Sequence, residues 1–164
     1  MSRELAKTRI KKNFILLIQS EELHQIKVAH LCKLSQVNRS TFYAHYLDIY
    51  DLSEQLTIEI EDKYLYMVNL KNDQVTLEEG FTELFNEVKN NPQLYNAYFK
   101  INPNKALIFK ERTVADLSNQ SHLLKYNSLF FRSGITAVVK LWLENNCQES
   151  IEEMVTLLLN KYNY

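Results

Sequence analysis

Polar side chains that form hydrogen bonds are concentrated in the run NRSTFYAH, residues 38–45. Arg39 can hold a guanine edge with its bidentate fork, and the hydroxyls of Thr41 and Tyr43 suit phosphate oxygens. The ammonium of Lys27, a short way upstream, suits a further phosphate. This is the chemistry of a helix that enters the major groove of DNA. The candidate DNA-contacting residues are Lys27, Asn38, Arg39, Ser40, Thr41, Tyr43 and His45.

Bland structural interpretations of the same residues remain open. A pattern of this kind can be a plain helical corner, and His45 suits a hydrogen bond within the domain as well as a DNA contact. At helical spacing, Phe42 and Tyr46 are expected to pack into a core. Arg39 and Tyr43 are therefore the stronger candidates for DNA contact.

Two short helices joined by about three residues must position this run. Apolar residues at helical spacing predict a first helix over Lys7–Gln19 and a second from Lys27 that ends at Ser35 and Gln36. Asn38 is a good N-cap for a third helix. The arrangement predicts a helix-turn-helix.

The rest of the chain also has helical patterns and helical start signals. Asp48 is expected to cap a long helix that reaches about Leu70, and the pairs Thr76 with Glu79 and Ser150 with Glu153 are predicted capping boxes. Further helices are predicted for 76–90, from Pro92 through Phe99, from Asn104 to about Leu124, over 126–146 and after Ser150.

Composition supports an all-α fold of about nine helices. The 164 residues are 46% hydrophobic, enough for a core, and include only two Gly and two Pro, which leaves little turn chemistry for hairpins. Residues 1–50 contain eight Lys or Arg against four Asp or Glu, a net charge of +4 in a chain whose total is −1. The positive charge is therefore segregated at the end that contains the predicted helix-turn-helix.

Several functional classes find no support in the sequence. Cys32 and Cys147 are far apart, and no spacing among cysteines and histidines matches a metal site, so we expect free thiols and neither metal nor cofactor. The apolar run FILLI is too short for a signal peptide or a membrane span, and we expect a cytoplasmic protein. No catalytic motif or glycine-rich phosphate loop is present, so an enzyme is not expected.

The segment VAHLCKLSQVNRSTFYAHYLDIYDL, residues 28–52, resembles the TetR family of bacterial transcriptional regulators. The matching positions are Leu31, Val37, Thr41, Phe42, Tyr43, His45, Tyr46 and Leu52. A second pattern is similar to the C-terminal domain of the branch that includes dihydroxyacetone kinase regulators. Its residues are Phe130, Phe131, Gly134, Trp142, Leu143 and Glu144.

The resemblance implies a helix-turn-helix domain at 1–52, a linking helix at about 48–70, and a C-terminal dimerisation and possible effector domain at 53–164. The implied protein is a homodimeric repressor that binds a palindromic double-stranded operator and is released by a small-molecule effector. The last two helices would form the dimer interface, although burial inside one larger core is the simpler alternative. The implied interface residues are Phe130, Ser133, Gly134, Ala137, Val138, Leu141, Trp142, Met154, Leu157 and Leu158.

Two residues depart from the family pattern. Gln36 stands where the family usually has Gly, which predicts a strained or altered turn. Ile49 stands where Lys is usual, which removes a phosphate contact and shifts the load to Lys27, Lys33 and the basic first helix. These departures support an alternative, a TetR-like coactivator or protein-interaction module with weak or no DNA binding of its own.

Aromatic residues in the middle of the chain have two interpretations. They can line an effector pocket among the helices, or they can be ordinary core, which their helical spacing favours. These residues are Tyr64, Tyr66, Phe81, Phe85, Tyr95, Tyr98, Phe99 and Phe109.

Overall fold

The computed structural model describes residues 3–69, 76–107 and 122–162. Within these ranges every regular element is helical, with eight α-helices and one short 3-10 helix at Leu23–Gln25. The predicted all-α fold is confirmed. The helices are α1 (Arg3–Ser20), α2 (Val28–Ser35), α3 (Arg39–Tyr43), α4 (Ile49–Asn69), α5 (Leu77–Asn90), α6 (Pro92–Ile101), α7 (His122–Glu144) and α8 (Ile151–Tyr162).

Two predicted capping boxes determine where α5 and α8 begin. The Thr76 hydroxyl accepts a hydrogen bond from the Glu79 backbone N–H at 3.2 Å, and the Glu79 carboxylate accepts one from the Thr76 N–H at 2.9 Å. Ser150 and Glu153 form the same reciprocal pair. Hydrogen bonds from Ser150 lower the pKa of the Glu153 carboxyl, because they stabilise its charged form.

The first compact unit comprises residues 3–60 together with 93–103. Its helix α1 packs against both α2 and α3. A helix of five residues, such as α3, is too short to be stable alone, so burial of its apolar face must hold it in place. The largest side chains in this core are Ile10, Phe14, Ile18, Leu31, Phe42, Tyr46, Leu52, Tyr95 and Tyr98.

Helix α6 is part of this first unit. The Gln19 side-chain amide donates to the Gln93 carbonyl at 3.0 Å, and the Asn102 amide donates to the Thr57 hydroxyl at 3.0 Å. These contacts join α6 to α1 and α4. The unit therefore extends beyond the predicted domain boundary at residue 52.

The second unit contains α5, α7, α8 and the later part of α4. Trp142 lies at its centre with only 1% of its surface exposed. The Phe85 ring meets the indole edge-on at a centroid distance of 5.1 Å, and the Lys89 ammonium lies 5.9 Å from the indole centroid. The indole N–H donates to the Glu149 carbonyl at 3.2 Å, so the polar atom of this buried side chain is satisfied.

The helix predicted from Asn104 to about Leu124 is not present at its start. Residues 104–107 are non-helical, and the Leu107 N–H donates to the Thr136 hydroxyl of α7 at 2.9 Å. The remainder of that prediction, residues 108–121, lies outside the described residues. Helix α7 begins at His122.

Neither a membrane-spanning helix nor a metal cluster is found among the described residues. No helix in that part of the chain has the length and hydropathy needed to cross a membrane. No three His, Cys, Asp or Glu side chains there lie close enough together to hold a metal ion. Cys32 and Cys147 are free thiols, and burial raises the pKa of each.

Tyr46 is buried with a hydroxyl that has no hydrogen-bond partner among the described residues. We expect Tyr46→Phe to raise the free energy of unfolding by about 1 kcal/mol at pH 7, because it removes an unsatisfied buried polar group. Burial raises the pKa of Tyr46 to about 12, whereas an unfolded tyrosine titrates near 10. The native state thus loses stability as the pH rises from about 10 to 12, and Tyr46→Phe should reduce that loss.

Denaturant unfolding at pH 7 and across pH 9–11 measures both effects. Tyr43→Phe is the matched control, because Tyr43 lies on the same helix with its side chain exposed. A Tyr46→Phe protein less stable than the parent at pH 7 would contradict the expectation.

Candidate DNA-binding surface

Helices α2 and α3 form the predicted helix-turn-helix. The first ends at Ser35 and the second begins at Arg39, with three residues between them. Asn38 occupies the N-cap position, and its carbonyl accepts from the Thr41 and Phe42 N–H groups at 3.0 and 3.1 Å. Its side chain makes no capping hydrogen bond, contrary to the expectation for a good N-cap. The Asn38 amide is exposed and available for an external contact.

The turn places Gln36 in the left-handed region, with φ 54° and ψ 45°. The Val37 N–H donates to the Cys32 carbonyl and the Gln36 N–H to the Lys33 carbonyl, which is the Schellman pattern. A residue with a Cβ costs about 1 kcal/mol more than Gly in this conformation. The Arg9 guanidinium donates to the Gln36 side-chain oxygen at 2.6 Å, a contact that Gly cannot make.

Helix α3 buries one side and exposes the other. Phe42 and Tyr46 are buried, as their spacing predicts, and their rings contact each other at 5.5 Å. The predicted DNA-contacting residues Lys27, Asn38, Arg39, Ser40 and Tyr43 are exposed, whereas Thr41 and His45 are half-buried. The His45 Nε2 atom is buried and has no hydrogen-bond partner in the described part of the chain, so the internal hydrogen bond considered for this ring is not made by that nitrogen.

An open groove of about 760 Å³ lies between α1, α2 and α3. Four of the predicted residues line it, namely Asn38, Ser40, Thr41 and His45, whereas Lys27, Arg39 and Tyr43 lie outside the lining. Lys33 also lines the groove and was absent from the predicted set. Its position just before the turn is the signal that could have added it.

The cations around α3 are not neutralised by neighbours. Lys27, Lys33 and Arg39 form no ion pair within the described ranges, whereas Lys11 on α1 pairs with Glu59 at 2.7 Å. Unpaired cations beside exposed hydrogen-bond donors suit a polyanion.

The beginning of α4 differs from this basic surface. Asp48 caps the helix as predicted, because its carboxylate accepts from the Asp51 N–H at 2.8 Å. The Asp51 carboxylate in turn accepts from the Leu47 N–H at 2.7 Å. Ile49 is buried in the core of this unit, so no phosphate contact is made from that position.

Comparison with known proteins identifies the family. The model of a transcriptional regulator C-terminal region, of the TetR type, matches residues 75–163, more than half of the chain. The chain belongs to the TetR family of transcriptional regulators. No curated protein sequence is detectably similar to it.

Solved TetR-type structures share the fold at low sequence identity. A dihydroxyacetone kinase operon activator, DhaS, has a TM-score of 0.59 at 19% identity, over 94% of this chain and 92% of its own. A TetR transcriptional regulator from Streptococcus agalactiae has a TM-score of 0.58 at 20% identity, over 97% and 94%. The fatty acid degradation regulator FadR from Bacillus halodurans has a TM-score of 0.59 at 17% identity, over 93% and 91%.

In this TetR-family chain, α7 has two apolar sides. Phe130 is 74% exposed and Leu141 is 58% exposed. Ser133, Gly134 and Ala137 are exposed between them, and Val138 is half-buried. At 100° per residue, these positions lie on one stripe, opposite the buried Ile135, Val139 and Trp142.

Not all predicted interface residues lie on that stripe. Trp142, Met154 and Leu158 are buried inside the single chain, so they are core residues of the second unit. Leu157 on α8 is exposed. Burial within one chain, the alternative considered from sequence, thus applies to three of the ten residues.

The aromatic residues considered for an effector pocket are divided between the two units. Phe81 and Phe85 are buried in the second unit, and Tyr95, Tyr98 and Phe99 are buried in the first. The side chains of Tyr64, Tyr66 and Phe109 lie outside the described part of the protein.

The turn residue of this TetR-family chain is open to a direct test. Gln36→Ala keeps the left-handed strain and loses the contact with Arg9, whereas Gln36→Gly loses both. We therefore expect the Gly variant to be more stable than the Ala variant by about 1 kcal/mol, and the Ala variant to be the least stable of the three proteins. Thermal or denaturant unfolding of the three proteins measures this order. An Ala variant as stable as the Gly variant would contradict a left-handed turn at this position.

Proposed function

We propose that the protein is a homodimeric transcriptional repressor that binds a palindromic double-stranded operator through α3. The observation that supports this most directly is Arg39, an exposed and unpaired guanidinium at the first position of α3. Recognition helices read base edges with residues in their N-terminal part, which is where Arg39 lies.

The surrounding residues suit the supporting contacts. The exposed amide of Asn38 is placed for base edges, and the hydroxyl of Tyr43 for phosphate. Lys27 and Lys33 add positive charge on α2, the helix before the turn. Because phosphate contacts release counterions, operator affinity should fall steeply with salt.

Selection from a pool of random-sequence duplex DNA tests the DNA-binding proposal. We expect a palindromic consensus whose half-sites are about 10 base pairs apart, centre to centre. Arg39→Ala should cost about 1–3 kcal/mol per half-site and relax the preference at one base pair, because it removes a bidentate contact. Lys161→Ala is the control, since it removes one exposed positive charge from α8 in the other unit. Selection that recovers no consensus would contradict the proposal.

Dimerisation is proposed through the exposed stripe of α7 and Leu157 of α8. A monomer that exposed Phe130 and Leu141 in this way would leave large apolar side chains in water, and a second copy of the stripe is the self-complementary cover that a twofold axis provides. Exposed Gly134 and Ala137 would allow the backbones of two helices to approach closely.

A charge placed on the stripe should dissociate the dimer. We expect Leu141→Asp to raise the dimer dissociation constant about 30-fold or more, because a carboxylate would be buried without a partner. Thr156→Asp adds the same charge at an exposed polar position of α8 and should leave the dimer intact. Analytical ultracentrifugation measures both variants, with circular dichroism to verify that each is folded. A Leu141→Asp protein that remained dimeric would exclude this interface.

Effector control is proposed to act through α4. This helix begins beside the helix-turn-helix at Ile49 and continues to Asn69, so a tilt of α4 would change the spacing of two recognition helices. An effector that bound the protein and left operator affinity unchanged would contradict this mechanism. The similar DhaS is described as an operon activator, so a reporter that falls when the protein is supplied supports repression and one that rises supports activation.

A partner-binding coactivator is the second candidate. The observation that favours it is the beginning of α4, where Ile49 is buried and two carboxylates cap the helix. Such a protein would select no DNA consensus alone and would do so only in complex with another regulator.

A further inference from the structure

The corner between α3 and α4, residues Ala44 to Asp51, lies next to the proposed DNA surface. One side-chain amide defines this proximity, because the Gln55 Nε2 donates to both the His45 carbonyl at 3.4 Å and the Asp51 carboxylate at 3.1 Å. His45 lines the groove beside α3. A duplex seated on α3 would therefore bring a phosphate strand within about one screening length, roughly 8–10 Å, of this corner.

The charge of this corner opposes a phosphate. Asp48 is exposed, Asp51 is half-buried, and neither has an ion-pair partner within the described ranges. Their carboxylates occupy the first N–H groups of α4, so those donors are not available to an anion. Leu47 is 81% exposed and offers no charge, and Ile49 is buried.

We propose that Asp48, with Asp51 and the uncharged Leu47, sets the operator affinity of this protein by repelling the nearest phosphate instead of binding it. The inference rests on the proposed DNA-binding function. Each half-site is then held by Arg39 and the α2 lysines against an opposing charge. Binding by one protomer is weak, and a productive complex requires two.

Asp48→Asn tests the repulsion while preserving the cap, because Asn and Asp are about equally good N-cap residues. We expect affinity for the selected operator to increase about two- to fivefold per dimer at low salt, with a difference that shrinks as salt rises. Asp62→Asn is the matched control, since it removes the same exposed charge from the same helix about 21 Å further along. It should leave affinity unchanged at physiological salt.

Leu47→Lys tests whether a phosphate is within reach of the corner. A cation at this exposed position should add one phosphate contact per protomer, which steepens the slope of log K against log salt by about 0.9 for each. Leu47→Gln removes the same apolar side chain without adding a charge and should leave that slope unchanged. Fluorescence anisotropy over 50–300 mM salt, roughly spanning the range where such slopes are linear, measures all five proteins.

The outcomes separate this inference from the proposed function. A parent protein that binds its operator while Asp48→Asn behaves like Asp62→Asn, or while Leu47→Lys keeps the parental slope, would overturn the inference alone. Absence of sequence-specific binding by the parent and every variant would overturn both. Binding by Asp48→Asn or Leu47→Lys where the parent binds too weakly to measure would support the inference directly.

Discussion

Burial of Phe42 and Tyr46 is the interaction on which the proposed recognition surface depends. Helix α3 has only five residues, too few to be stable in water, so its orientation comes from packing and not from its own hydrogen bonds. Phe42 is fully buried and contacts both Tyr43 and Tyr46. Because these apolar side chains point inward, the intervening Arg39 and Ser40 must point outward, and the core itself determines which side chains are offered to DNA.

The parts of the fold predicted correctly from sequence are those set by local chemistry. Both capping boxes are made by residues three positions apart, so their motif contains everything needed to place the start of α5 and α8. The three-residue turn of the helix-turn-helix is local in the same sense. What the turn motif did not reveal is how Gln36 is accommodated, because the stabilising contact comes from Arg9, 27 residues away.

The features missed from sequence depend on contacts between distant residues. Helix α7 has apolar residues on two sides, and the sequence pattern cannot say which side meets α5. Trp142 was therefore assigned to the dimer interface although Phe85 and Lys89 surround it in one chain. Helix α6 was assigned to the C-terminal domain, but hydrogen bonds from Gln19 and Thr57 join it to the first unit.

Dimerisation and the charge of the α3–α4 corner are connected in the proposed mechanism. A half-site weakened by Asp48 contributes little affinity alone, but once one protomer has bound, the second binds at the high effective concentration set by the dimer. Operator occupancy then depends on the spacing of two recognition helices more than on the affinity of either. A small tilt of α4 is sufficient to release such a complex, because no strong single-site contact remains to hold it. The departures at Leu47, Asp48 and Ile49 are in this sense compatible with DNA binding, and they make the exposed stripe of α7 essential to it.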